Sequence, residues 1–236
     1  KGTVNSADNV NATTDSYTKV NFYGGTITGN LYGGGEGQRE AAATPAVYYV
    51  ADDPEVIAGS KQVGDVKTPA QAAVSKIAAN VFGPVTVTTL GGTVNKVFGC
   101  NNYYGAPQNT VDVFINDGTV NNSVYGGGNQ AEYTAPESKK NYPAVYINNG
   151  TVTENVFGGG YGLTAIVTGN PHITVGDGVK GHVVAIKKSV YGGGELAGVV
   201  GDTYIVMNSG TIGTLTDGES VYAGAVYGNI YGGGLG

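Results

Sequence analysis

The sequence has 236 residues, of which 42 are glycine, 18 are acidic and 12 are basic, giving a formal net charge of -6. Charged residues make up only 13% of the chain, too few for a disordered polyelectrolyte or a coiled coil. Glycine does not recur at every third position, which excludes collagen. An acidic chain with one arginine, Arg39, lacks the clustered basic groups that bind nucleic acid. No apolar run is long enough to cross a bilayer as a helix, and the single Cys100 excludes an intrachain disulfide.

One short phrase returns along the chain: Gly-Thr-aliphatic, a few polar residues, and then aliphatic–aromatic–Gly, usually followed by further glycines. Clear copies occupy residues 25–35, 92–99, 118–128 and 150–160. Partial copies occur at residues 2–4, 81–83, 190–194, 210–212, 221–222 and 230–234. Repetition of this kind is the signature of an architecture in which similar units stack on their neighbours.

Runs that alternate apolar and polar residues precede most copies and predict β-strands. They cover residues 85–90, 110–115, 144–147, 172–175 and 203–207. Turn sequences such as Asn116-Asp117-Gly118 supply residues that tolerate a positive φ at a corner. Stacked strands lie about 4.8 Å apart, so equivalent side chains would form ladders. The pattern predicts an all-β fold, a parallel β-solenoid (β-helix) of about seven irregular coils; the 16 residues between Phe82 and Phe98 set the minimal coil.

Most additional residues enter just after the glycine run, so we expect loop insertions along one edge of the solenoid, where repeat proteins often bind ligands. A longer insertion covers residues 52–80. Within it, Thr68 and Pro69 precede an alanine-rich run, which predicts an N-cap and a short helix over residues 70–79. We predict one solenoid domain over residues 1–236. The chain opens within a copy of the phrase, which indicates a segment of a longer polypeptide.

The aromatic position of the phrase exchanges Tyr and Phe freely, which favours a packed ladder over hydrogen-bonded recognition. This structural ladder is predicted to contain Tyr32, Phe82, Phe98, Tyr125, Phe157, Tyr191 and Tyr231. A second set of tyrosines lies in the edge insertions, among Asn, Gln, Gly and Pro. These candidate ligand-binding residues are Tyr103, Tyr104, Tyr133, Tyr142 and Tyr161. The composition is typical of adaptable binding loops, but the rings could equally fold back over the corner glycines.

The glycine runs lack the Lys-Ser/Thr and the helix of a phosphate-binding loop, so no cofactor is predicted. Calcium at one or two corners stays open, because acids occur there at Asp117, Asp177 and Asp217. The repeat does not keep an acid after its glycines, as calcium-binding nonapeptides do. His172 and His182 flank one corner, but two histidines without a third ligand do not define a metal site.

No catalytic residues are predicted. Hydrolysis of a glycoside needs paired carboxylates, and Asp112 lies in a predicted strand with no acid aligned to it. Asp52, Asp53 and Glu55 are neighbours within the long insertion, where carboxylates commonly cap or solvate a turn.

The repeated Gly-Thr-Val…Val-Tyr/Phe-Gly-Gly-Gly phrase resembles the glycine-rich β-solenoid repeats of large bacterial secreted or surface-anchored adhesin-like proteins. The resemblance covers nearly the whole chain outside residues 52–80. It implies an extracellular or cell-surface structural and adhesive module, whose tyrosine-bearing loops would bind a glycan or protein on a surface. Two alternatives stay open: a carbohydrate-active β-helix enzyme or its glycan-binding part, and a self-assembling fibre subunit that joins further repeats or copies end to end.

Overall fold

The computed structural model describes residues 17–213 and 228–236. The phrase copies at residues 2–4 and 221–222, and the corner acid Asp217, lie outside this described part. The chain divides into two compact units, of which one is Gln38–Ile77 and the other comprises the flanking sequence on both sides. The predicted insertion of residues 52–80 overlaps the smaller unit, which begins earlier in the chain.

The described residues form short β-strands and one helical turn. In chain order these elements are β1 (Thr18–Phe22), β2 (Thr26–Ile27), β3 (Leu31–Tyr32), β4 (Val47–Tyr48), α1 (Pro54–Ile57), β5 (Val66–Thr68), β6 (Val85–Val94), β7 (Val97–Phe98), β8 (Val111–Val120), β9 (Val124–Tyr125), β10 (Tyr133–Thr134), β11 (Ala144–Ile147), β12 (Gly150–Val152), β13 (Val156–Phe157), β14 (Val167–Thr168), β15 (His172–Val175), β16 (Val184–Ile186), β17 (Val190–Tyr191), β18 (Val199–Val200), β19 (Tyr204–Met207), β20 (Thr211–Ile212) and β21 (Ile230–Tyr231). Within the described ranges, no helix is long and apolar enough to cross a membrane.

All strand pairs of the larger unit are parallel, and each pair joins residues from successive passes of the chain. The main sheet runs from β1 and β2 through β6 and β8 to β11 and β12, then to β15 and β16, and ends at β19 and β20. A second sheet has the order β3-β7-β9-β13-β17-β21, and a third has the order β10-β14-β18. Strands that pair in parallel with the next pass of the same chain define a parallel β-solenoid, which confirms the predicted fold class.

The core follows from the period-two alternation of the strands. In β8, Val113 and Ile115 are fully buried, whereas the alternating Asp112 and Phe114 lie on the opposite face. The register places Val113 between Val87 and Val145 of the adjacent coils. Equivalent β-branched residues therefore stack into columns along the inside of the solenoid, where cross-strand packing stabilises the sheet.

The register gives six coils in the described part of the chain, against the prediction of about seven. The predicted minimal coil of 16 residues is wrong, because β3 pairs directly with β7 and leaves no equivalent position for Phe82. The shortest observed coil joins Val85 to Val111, 26 residues later.

The aromatic residues of the phrase form a continuous stack along the second sheet. Neighbouring ring centroids lie 4.7–5.1 Å apart, with interplanar angles of 5–13°. The stack contains Tyr32, Phe98, Tyr125, Phe157, Tyr191 and Tyr231. Each stacked pair adds about 0.5–1.5 kcal/mol beyond the burial of its surface. Phe82, the seventh predicted member, is not part of the stack.

The glycine after the ring is required by the close approach of adjacent coils, except after Tyr231 in the last coil, where a Cβ on Gly232 would meet no atom within 4 Å. A Cβ added to Gly99, Gly126, Gly158 or Gly192 would lie only 2.3–2.4 Å from the carbonyl oxygen of the equivalent glycine in the next coil. The second glycine of the phrase is required less strictly, since Cys100 takes its place in one coil. The Cys100 thiol is fully buried, and burial raises its pKa, so it is packed and unreactive.

The smaller unit contains the only α-helix of the described residues, but not where the sequence predicts it. Helix α1 is capped by Asp53, whose carboxylate accepts a hydrogen bond from the Glu55 amide. The prediction of a helix over residues 70–79 is wrong. That segment is extended and bridges residues 38–44 in antiparallel fashion, with two backbone hydrogen bonds between Ala41 and Val74. Pairing with a distant segment here outweighs the helix propensity of alanine.

The crowding at the first glycine of the phrase can be tested with Gly126→Ala. We expect a loss of about 3 kcal/mol in the free energy of unfolding, because the new methyl group must displace backbone of the next coil. Gly198→Ala is the matched control, since its Cβ would meet no atom within 4 Å. Urea denaturation followed by circular dichroism measures both, and equal stability of the two variants would contradict the crowding argument.

The membership of the aromatic stack can be tested by comparing Phe98→Ala with Phe82→Ala. Phe98 is fully buried between two rings, so its truncation should cost about 3–5 kcal/mol. Phe82 is half-buried outside the stack, and its truncation should cost clearly less. A larger loss for Phe82→Ala in the same denaturation experiment would show that the ring stack is not the main aromatic contribution.

Candidate binding face

The main sheet has a side turned away from the core, here called the outer face, formed by the residues that alternate with the core positions. Thr88 and Ala144 on this side are themselves buried. The register arranges them in two columns that run along the stack. The first column contains Lys19, Thr86, Asp112, Ala144, His172 and Tyr204. The second contains Asn21, Thr88, Phe114, Tyr146, Thr174 and Val206.

Two stacked ring pairs lie on the outer face. The rings of Phe114 and Tyr146 have centroids 4.7 Å apart and an interplanar angle of 9°. The rings of His172 and Tyr204 have centroids 4.5 Å apart and an angle of 18°. Each pair joins adjacent coils, so the strand spacing itself holds these rings parallel. The pairs provide flat aromatic surface on a hydrogen-bonded sheet.

Two clefts lie beside the Phe114–Tyr146 pair. The larger, of about 570 Å³, is bounded by residues 138–142 on one side and by Ala144, Tyr146 and His172 on the sheet. The smaller, of about 380 Å³, includes Lys19, Asn21 and Tyr23, and Phe114 lines it. The stacked pair thus contributes one ring to each cleft. Both clefts combine aromatic rings with amide, hydroxyl and ammonium groups, as ligand sites commonly do.

Asp112 lies in the first column between Thr86 and Ala144. Burial raises the pKa of Asp112 from its ordinary value of 3.8 to about 6. The carboxylate in turn contributes to the raised pKa of the Tyr142 and Tyr146 phenols, after the larger contribution of burial. The outer face therefore contains a carboxyl group that changes charge at mildly acidic pH.

The structure separates the five tyrosines predicted to bind a ligand. Tyr133 is fully buried, and its hydroxyl donates a hydrogen bond to the Asn109 carbonyl at 2.9 Å. It cannot contact a ligand, so this prediction is wrong. Ala131, Tyr133 and Ala135 alternate with polar residues in the sequence, and all three are buried. This alternation is the sequence signal that could have predicted a buried Tyr133.

Tyr161 also folds back onto the solenoid. Its ring centroid lies 5.7 Å from that of Tyr125, and the Lys96 ammonium lies 4.4 Å from the Tyr161 centroid. Tyr125 itself donates a hydrogen bond of 2.5 Å to the Glu195 carboxylate. The half-buried Tyr161 therefore covers the aromatic stack, which was the structural alternative for this residue.

The other three predicted tyrosines lie in two different loops. Tyr103 and Tyr104 are half-buried in the turn at residues 101–109, where the Tyr104 carbonyl accepts a hydrogen bond from the Asn101 side chain. Tyr142 lines the larger cleft of the outer face. Of the five, only Tyr142 joins the site that the sheet builds.

The two histidines do not share a partner. His172 Nδ1 lies 3.0 Å from the Asn170 carbonyl, and its ring stacks on Tyr204. His182 Nδ1 lies 2.8 Å from the Asp177 carboxylate. Within residues 17–213 and 228–236, no group of three His, Cys, Asp or Glu side chains could hold a metal ion.

Most of the outer face was not predicted, because aromatic residues stand out in the sequence only by the repeated phrase or by their place in a loop. The outward positions of the strands belong to neither set. The alternation in residues 110–115 and 144–147 does mark Asp112, Phe114 and Tyr146 as outward-facing. Their neighbours across the sheet depend on the register, which the unequal coil lengths conceal.

Parallel coils, an internal aromatic stack and a ring-bearing outer face define the larger unit as a parallel β-solenoid. Comparisons with protein-family models, curated proteins and solved structures give no match for this chain.

The partly buried carboxylate of Asp112 should lower stability at neutral pH. Its folded-state pKa is raised, so this cost is absent below pH 4 and grows as the pH rises to about 6. Asp112→Asn should therefore raise the free energy of unfolding at pH 7.5 by about 1–2 kcal/mol, after allowance for solvent screening.

The gain from Asp112→Asn should shrink towards zero near pH 4. Asp117→Asn, at an exposed corner where the side chain accepts a hydrogen bond from the Gly118 amide, is the matched control. Urea denaturation across this pH range measures both variants. A pH-independent gain for Asp112→Asn would show that charge burial is not its cause.

Proposed function

We propose that this chain is an extracellular structural and adhesive module, whose β-solenoid binds a surface glycan on its outer face. The observation that carries this proposal is the pair of clefts on either side of the stacked Phe114 and Tyr146 rings. Sugars present apolar C–H surface together with hydroxyl groups. Tyrosine rings surrounded by amides, hydroxyls and ammonium groups match both kinds of surface.

The rigidity of the sheet supports binding by this face. The rings and polar groups of the two columns project from strands whose backbones are hydrogen-bonded on both sides in the inner coils. Binding to a preformed surface avoids the entropic cost of ordering loops. The edge turns offer fewer side chains to a ligand, because Tyr133 and Tyr161 pack against the solenoid.

A carbohydrate-active enzyme is the second candidate, and the raised pKa of Asp112 favours it, since a general acid needs a proton near neutral pH. Glycoside hydrolysis also uses a second carboxyl group within about 5–10 Å. The strands beside Asp112 place Thr86 and Ala144 next to it. We therefore propose binding without turnover.

The proposal is tested by a glycan-array screen of the purified chain, with released sugar measured in the same wells. The outer-face variant Tyr142→Ala/Tyr146→Ala should weaken binding more than about tenfold, because central aromatic contacts dominate affinity. Tyr204→Ala is a second outer-face variant. It should disturb folding little, because the Tyr204 side chain is 46% exposed. Tyr103→Ala/Tyr104→Ala is the matched control and should bind as the original chain does.

Circular dichroism shows whether each variant keeps its β-sheet. Loss of binding in the Tyr103/Tyr104 variant alone would move the site to the edge turns. Release of sugar would favour the enzyme, and the absence of any array signal would refute the proposed function.

A further inference from the structure

We infer that the bound glycan is an acidic oligosaccharide that lies along the stack axis, from Lys19 at one end of the outer face to Lys139 and Lys140 at the other. This inference rests on the proposed function and specifies its ligand. It is carried by the placement of the clefts, the distribution of charge over the outer face and the position of Asp112.

The length of the ligand follows from the coils that the clefts span. Lys19 lies on β1 and His172 on β15, and the strands between them in the column are β6, β8 and β11. Four steps of about 4.8 Å give about 19 Å between these residues. A single sugar would fill one cleft. An oligosaccharide would cross the Phe114–Tyr146 pair and occupy both.

The ionic character of the ligand follows from the charges along this path. The chain as a whole has a net charge of -6, yet Lys19 lines one cleft, and Lys139 and Lys140 line the other. Among the described residues of the two columns, Asp112 is the one carboxylate. Glu137 lies 3.0 Å from Lys140, but both side chains are largely exposed. Such a pair contributes little, so Lys140 can exchange Glu137 for a ligand carboxylate.

Asp112 lies midway along the path and makes binding sensitive to pH. The groups beside it are Thr86 on β6 and Ala144 and Tyr146 on β11, together with the phenols of Tyr133 on β10 and of Tyr142 just before β11. Lys19 and His172 each lie two strands away in the same column. Burial raises the pKa of Asp112 to about 6. Below that pH its negative charge is lost, and with it the repulsion of an anionic ligand.

The experiment uses three acidic hexasaccharides, oligogalacturonate, oligoglucuronate and hyaluronan, each paired with its carboxyl-reduced counterpart. The two members of a pair have the same ring backbone and differ in charge. Affinity is measured by titration calorimetry at pH 5 and pH 7.5. We expect at least one acidic probe to bind about threefold to tenfold more tightly than its reduced form, and more tightly at pH 5.

Three variants locate the effect on the outer face. Lys19→Ala/Lys139→Ala/Lys140→Ala should abolish the preference for the acidic member of the pair, whereas Lys180→Ala, at an exposed corner, should keep it. Asp112→Asn should bind the acidic probe at pH 7.5 as the original chain does at pH 5, and its affinity should change less with pH. A general effect on folding would not weaken the pH dependence of binding in this way.

The outcomes separate this inference from the proposed function. Equal or tighter binding of the reduced probes would overturn the acidic ligand while leaving a glycan-binding face in place. If the array shows binding of neutral glycans only and the acidic probes do not bind, the acidic ligand is likewise overturned and the glycan-binding face is kept. If no glycan binds at all, both proposals fail. A preference for an acidic probe that persists in Lys19→Ala/Lys139→Ala/Lys140→Ala would also overturn the assigned path.

Discussion

The close approach of stacked backbones is the constraint on which the rest of this structure depends. Successive coils are hydrogen-bonded in parallel, and in every described coil but the last a Cβ on the glycine after the ring would lie 2.3–2.4 Å from a carbonyl oxygen of the next coil. Only glycine fits that position. Because the glycines must align, the preceding residues align as well, and their rings stack at 4.7–5.1 Å. The phrase repeats in the sequence because the same steric requirement recurs from coil to coil.

The same alignment creates the outer face. Asp112, Tyr146 and His172 lie on different coils, far apart in sequence, yet the register brings them into two adjacent columns. Each coil contributes only two side chains to the two columns of this surface. The combination of side chains on the outer face therefore arises from the stacking of several coils, and no single repeat contains it. A sheet held by hydrogen bonds on both sides keeps these side chains in place, and the proposed binding face combines them with Tyr142 and the two lysines of the loop at residues 138–142.

Some of the edge insertions pack against the solenoid, which is one of the two roles that their composition allows. Tyr133 and Tyr161 pack onto the solenoid, and the buried Asn101 side chain bonds the backbone of its own turn and of residue 79. These polar and aromatic residues close the coil against water. A loop rich in Tyr and Asn serves this purpose as well as binding, because both need rigid rings and adaptable hydrogen bonds. Composition alone does not distinguish the two roles.

The sequence by itself determined the solenoid, the inward valine columns and the ring stack, because each depends on a local phrase whose spacing must match the stacked strands. Tertiary structure decided which passes of the chain are neighbours. Val87 pairs with Val20 on one side and with Val113 on the other only if Phe82 is passed over, and no local signal shows this. It likewise decided that residues 70–79 pair with a distant segment in place of forming a helix. Long-range hydrogen bonding sets these outcomes, and the outer face with its charges follows from them.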